Sequence, residues 1–140
     1  MEHGKTEDWL QKVPLFRGLS KKQLREISGL ATRLNEPAGA VLTQEGKVGH
    51  EFIIVVDGEI EIRTGDRVVA TRGPGNYVGE IALLDNRPRT ATVVAKTPVV
   101  IEVIGKREFR SLLAGAPELS NDIMSTMAQR LAELDASPDQ

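Results

Sequence analysis

Between Gly79 and Ala91 the chain sets a glycine, a carboxylate (Glu80) and a guanidinium (Arg89) around a short apolar run, Ile81-Ala82-Leu83-Leu84. The run is long enough for one or two helical turns, predicted over residues 80–84. A turn signal, Asp85-Asn86-Arg87-Pro88, follows at once, and Arg89 stands at the entrance to a strand-like run from Thr90 to Ala95. A helix start presents unpaired N–H groups and partial positive charge, which together favour an anion. Gly79, having no Cβ, lets a ligand approach the backbone closely. Arg89 offers a planar fork of donors suited to phosphate oxygens. Glu80 would repel the same anion, so in a ligand site it must face a neutral, hydroxyl-bearing part of the ligand. A ribose beside a phosphate meets that demand, and the chemistry points to a nucleotide.

The elements that must position these residues can be read around them. A short helix is predicted over Thr6 to Val13, with Trp9, Leu10 and Val13 on one side and Pro14 ending it. Ser20 and Gln23 have the spacing of a capping box for a second helix running to about Leu30. Eight of the 13 glycines then fall between Gly39 and Gly79, which predicts short strands and tight turns. Phe52 to Val56 reads as a buried strand, Asp57-Gly58 as a two-residue hairpin turn, and Glu59 to Arg63 as a strand with one wet face. Gly65-Asp66 makes the next turn, Val68 to Thr71 the next strand, and Gly73-Pro74-Gly75 another turn. Ile60, Ile62, Val68 and Ala70 are assigned to the core, with lining of a ligand's base pocket the second role open to some of them. Val93-Val94 and Val99 to Ile104 supply the last strands, and strands this closely spaced suggest a small β-sandwich or jelly roll over about 31–104. Helices return over Lys106 to Ala114 and from Pro117 to about Leu134, the latter striped by Leu119, Ile123, Met127, Leu131 and Leu134. Met124 and Met127 are read as packing residues.

Composition narrows the function classes. At 140 residues the chain has the length of one domain and can bury roughly two-thirds of its surface. The absence of cysteine excludes a disulfide framework and a thiolate metal site. A formal net charge of −2, from 18 basic and 20 acidic residues, argues against a nucleic-acid surface. One Trp, one Tyr and three Phe are too few for base-stacking platforms. No apolar run approaches a membrane span and the first residues lack a signal-peptide core, so a cytoplasmic protein is expected. His3 and His50 are too few for a metal site, a metal-dependent cupin would need a histidine cluster, and no serine or cysteine nucleophile signature is present, so no enzyme is expected.

G-E-I-A-L-L followed by R-T-A-T resembles the phosphate-binding cassette of the cyclic nucleotide-binding domain family. That family includes the bacterial catabolite activator, the regulatory subunits of cyclic-nucleotide-dependent kinases and nucleotide-gated channels. The pattern is met at Gly79, Glu80, Ile81, Ala82, Arg89, Thr90 and Ala91, and V-P-L-F-R-G-L-S resembles the family's N-terminal helical segment. The resemblance covers about Leu10 to Leu134. It implies a mainly β fold, an eight-stranded β-roll flanked by N- and C-terminal α-helices. It also implies reversible binding of a cyclic nucleotide, cAMP favoured and cGMP the alternative at Thr90, with no chemistry done on the ligand. By this resemblance Glu80 accepts the ribose 2′-hydroxyl, the Ile81 and Ala82 amides face the cyclic phosphate, and Arg89 neutralises it. Thr90 lies near base and phosphate, Leu131 or Leu134 is the candidate base lid, and the terminal helices shift when ligand binds. The chain ends without room for the helix-turn-helix of the transcription-factor members, so DNA binding is not expected. A protein partner or fused effector is implied, and the stripe of the final helix suits either a homodimer or packing on the β-roll.

Blander readings stand beside these. A lone loop arginine is usually a surface residue; Arg87, before a proline, is read that way, and Arg89 is not because of its neighbours. Glu80 could merely favour the helix dipole or pair with Arg89. The rival function is an interaction module that keeps the fold, leaves the pocket empty and binds a protein partner.

Overall fold

A computed structural model describes residues 2–79, 81–83, 86 and 88–136, without the side chains at 2–5, 81, 130–131 and 133–136. The chain forms two compact units, Ala31–Arg107 and the pair of segments Met1–Leu30 and Glu108–Gln140.

The first unit is a β-roll of eight strands: β1 (Thr32–Glu36), β2 (Val41–Thr43), β3 (Glu51–Asp57), β4 (Ile60–Thr64), β5 (Arg67–Arg72), β6 (Tyr77–Val78), β7 (Thr92–Ala95) and β8 (Val99–Gly105). They make two four-stranded antiparallel sheets, ordered β1-β8-β3-β6 and β2-β7-β4-β5. Ile53, Val55, Val99, Ile101 and Val103 of one sheet pack against Ile60, Val93 and Ala95 of the other, as the period of two along each strand requires. On the opposite face of β3 and β8, Phe52, Ile54 and Ile104 are buried too, which is why Phe52 to Val56 is apolar without a break.

Three sequence expectations are corrected here. Asp57-Gly58 is not a hairpin turn, because β3 and β4 lie in different sheets. Gly58 does take a positive φ of 85°, but it turns a corner between sheets. That corner lies against the β7–β8 connection, which crosses the sheets in the opposite direction. Lys96 N donates to Glu59 O at 2.9 Å and Glu59 N to Thr97 Oγ1 at 3.0 Å. Val68 is 48% exposed rather than core. A bulge causes this: Ile62 pairs with Ala70 but Arg63 pairs with Val68, so the unpaired Val69 shifts Val68 onto the outward face of an outer strand. Met124 is 52% exposed, whereas Met127 is buried as expected.

The second unit is helical. Its helices are α1 (Glu2–Leu10), α2 (Lys21–Ser28), the body of α3 (Lys106–Ala114) and α4 (Pro117–Ala136), with a 3₁₀ turn at Pro14–Phe16. The first helix lies upstream of the predicted Thr6 to Val13, because Pro14 holds Val13 extended (φ −77°, ψ 126°) and then opens the 3₁₀ turn. The capping box forms as the sequence indicates, Gln23 N donating to Ser20 Oγ and Ser20 N to Gln23 Oε1. Phe16 and Phe109 meet at a centroid distance of 5.9 Å, and Leu119, Ile123 and Met127 of α4 are buried. Among the described residues no helix is long and apolar enough to cross a membrane.

The inter-sheet corner gives a stability test. A Cβ on Gly58 would sit 2.9 Å from Thr97 Oγ1 and from Val99 Cγ1 and would overlap the Pro98 carbonyl, at a left-handed backbone position. Gly58→Ala is therefore expected to destabilise the chain by about 2–4 kcal/mol in urea unfolding. A cost below 1 kcal/mol would mean that the corner relaxes freely.

Candidate functional site

Two antiparallel registers converge on one stretch of chain, residues 46–51. On one side β6 pairs with β3, Val78 opposite Ile53, which carries Gly79 next to the Glu51 end of β3. On the other side Val48 bridges Pro88, Arg89 N donates to Lys47 O at 2.8 Å, and Gly46 N donates to Arg89 O at 2.8 Å. Glu45 N donates to Thr92 Oγ1 at 3.0 Å, continuing the grip along the start of β7. The two halves of the sequence motif, ten residues apart in the chain, are thus brought to one strip of backbone.

Arg89 lies on that strip. Its Nη2 donates a short hydrogen bond to the Glu51 carbonyl. A Cβ on Gly79 would overlap Nη1 and lie 2.7 Å from Glu51 O, and a Cβ on Gly49 would overlap Nε. The guanidinium therefore occupies space that two absent side chains leave open. Its Nε is buried and has no hydrogen-bond partner among the described residues. Burial pulls the Arg89 pKa below its ordinary value, while the Glu51 charge pulls the other way. The group remains a cation at neutral pH. It is a partly desolvated positive charge resting on one neutral oxygen, an arrangement that an anion would stabilise.

The structure locates the other sequence-nominated residues as follows. Gly79 has φ +84°, a left-handed conformation that glycine adopts without strain. Ile81–Leu83 form a 3₁₀ turn inside the helix expected over 80–84, whose two end residues lie outside the described residues. Ala82 N closes that turn on Gly79 O at 3.1 Å, and Ala82 and Leu83 are buried where the turn packs on β3. Thr90 is exposed and Ala91 half-buried; both precede β7, which begins at Thr92 and not at Thr90. Glu80, Leu84, Asp85 and Arg87 lie outside the described residues, as do the side chains of Ile81, Leu131 and Leu134. Among the described residues no group of three or more His, Cys, Asp or Glu could hold a metal ion.

Sequence reasoning missed Gly49, Glu51 and Lys106. Gly49 reads in sequence as one more turn glycine, and Glu51 acts through its carbonyl, which carries no residue signal. Lys106 is buried, its amide donating to His50 O at 2.8 Å and its Nζ to Asn86 Oδ1, so the loop before Arg89 is tied to the end of β8.

Known proteins resemble this chain in sequence and in fold. A family model for the cyclic nucleotide-binding domain matches residues 34–115. A cyclic nucleotide-gated potassium channel of Rhizobium etli is 36% identical over 118 residues, 84% of this chain and 33% of the channel. The cAMP-dependent protein kinase regulatory subunit of Schizosaccharomyces pombe is 35% identical over 114 residues, 81% of this chain and 28% of the subunit. The chain thus spans a third or less of either relative. Among solved structures, the N-terminal domain of a transcriptional regulator from Streptomyces coelicolor A3(2) superposes with a TM-score of 0.80 at 29% identity, covering 91% of this chain and 93% of that one. The regulatory domain of Toxoplasma gondii PKA, solved with cAMP, gives a TM-score of 0.71 at 32% identity, covering 79% and 44%.

The site predicts its own independence from the fold. Arg89→Ala loses one side-chain hydrogen bond, worth about 0.5–1.5 kcal/mol, but also removes a buried donor left unpaired, which costs about 1–3 kcal/mol. Urea unfolding of the variant is expected to differ from the parent by less than about 1 kcal/mol. A larger loss would make Arg89 a structural residue first.

Proposed function

The chain belongs to the cyclic nucleotide-binding domain family, and we propose that its site takes cyclic AMP, with Arg89 as the counter-charge of the cyclic phosphate. As a member of that family it is a regulatory binding module and not an enzyme. The observation that carries the proposal is the Arg89 guanidinium, partly buried between two glycines with Nε unpartnered. A cyclic phosphate brings a single negative charge, enough to neutralise one arginine without needing a second cation.

The remaining assignments follow the chemistry of the ligand. Glu80 accepts the ribose 2′-hydroxyl, since a carboxylate beside the phosphate must face a neutral donor. The amides of Ile81 and Ala82 serve the phosphate. Ala82 N now donates to Gly79 O, so a phosphate oxygen either shares that proton or replaces the carbonyl. Thr90, being exposed, can turn its hydroxyl to the ligand. The adenine preference is supported by the kinase regulatory subunits among the relatives, named cAMP-dependent, and by the Toxoplasma gondii structure solved with cAMP. Occupancy is read out through the terminal helices by differential affinity for two arrangements, and through them by a protein partner or a fused effector.

Calorimetric titration with cAMP and, separately, cGMP tests the reading. Saturable binding of cAMP tighter than about 100 μM, roughly −5.5 kcal/mol, is expected. Arg89→Ala is expected to weaken it by about 2–4 kcal/mol. Replacing cAMP by its 2′-deoxy analogue should cost about 1–3 kcal/mol in the parent and little in Glu80→Ala. Unchanged affinity in Arg89→Ala removes the arginine from the site. No heat with either nucleotide favours the interaction module.

A further inference from the structure

We infer that Gly49 is a positioning residue for the phosphate-binding arginine, its missing side chain being the slot in which the Arg89 guanidinium is aimed. The inference rests on the reading of Arg89 as the phosphate contact. Seven glycines of this chain have positive φ, at 18, 39, 46, 58, 65, 75 and 79, and so have a backbone reason to be glycine. Gly49 is not among them, so no positive φ asks for glycine there. The three atoms nearest to a side chain there all belong to Arg89: a Cβ would overlap Nε, lie 2.5 Å from Cζ and lie 2.7 Å from Nη2.

The slot decides where the fork points. Gly49 lies against the Nε and Nη2 edge, Glu51 O takes a proton from Nη2, and Nη1 is left against Gly79, the residue that opens the 3₁₀ turn. Any side chain at position 49 would push the guanidinium off this line. The atoms that must yield are the far end of a flexible side chain and not backbone, so the fold loses little. The effect falls on the placement of charge. Gly79 cannot make the same test, because its φ of +84° and its closeness to Glu51 O load a substitution there with backbone strain.

The experiment is a double-mutant cycle on the full chain, read by calorimetry with cAMP, using Gly49→Ala, Arg89→Lys and both together. Gly49→Ala is expected to weaken cAMP binding by about tenfold or more while the thermal midpoint stays within a few degrees of the parent. Lysine has neither Nε nor the fork, so adding Gly49→Ala to Arg89→Lys should weaken binding no further. An unchanged affinity in Gly49→Ala, or the same fold-loss in both backgrounds, overturns the inference. A second readout needs no ligand: the Arg89 Nε proton should exchange slowly with solvent in the parent and fast in Gly49→Ala, by NMR. Unaltered exchange also overturns the slot. Failure of the parent to bind cAMP sinks the ligand reading instead, and the proton exchange still reports on the slot.

Discussion

A positive charge drawn partly out of water is the constraint around which this β-roll is arranged. Burial of the Arg89 guanidinium costs free energy that one carbonyl bond returns only in part. Such a group stays in place only when the surrounding backbone over-determines it. Here the determination is main-chain on both flanks: the amide and carbonyl of Arg89 are both paired to residues 46–47, and its side chain reaches the carbonyl of Glu51, in the same stretch. None of these partners is a side chain. Among the described residues the arginine is held by the geometry of the fold and not by an ion pair.

That geometry depends in turn on β3. Like β8, it buries apolar residues on both faces, and it pairs with β8 and β6 together. A site built on its leading end inherits the rigidity of the core, as precise sites need. The β6 pairing delivers Gly79 to this end, and the aromatic contact between Tyr77 and Phe52, with ring centroids 5.9 Å apart, fixes the approach. The crossings between sheets at Gly58 and at residues 96–98 close the roll at a separate corner and let the inner faces meet.

Much of this was legible in the sequence, and the misses have physical causes. Period-two alternation, glycine spacing and the Ser20–Gln23 box marked β3, β4, β5, β7, β8 and the second helix, because each is a local property of a few neighbouring residues, while the short β2 and β6 and the largely polar β1 carry no such mark. Which strand pairs with which is not local. Asp57-Gly58 looks like a hairpin turn because its chemistry is that of one, and only the sheet order shows that the two strands part company. Val68 was misplaced by one bulged residue, since a single insertion flips the face of everything beyond it. In the site, Gly79 and Arg89 stood out by type and spacing. Gly49 did not, because the atom it avoids lies forty residues away, and Glu51 did not, because any residue offers a carbonyl.

Lys106 shows why the arginine's surroundings behave as a unit. Its amide is bonded to His50 O, beside the carbonyl that holds Arg89, and its Nζ reaches back to Asn86, three residues ahead of Arg89. Arg89, Glu51, His50, Lys106 and Asn86 therefore close a ring through side-chain and main-chain bonds. His50, Glu51 and Asn86 are exposed, so water can take over a bond broken at any of them, whereas the buried Lys106 is costlier to displace. The main-chain part of the ring stays in place when the tip of the arginine moves, and it includes Lys106, the first residue of α3.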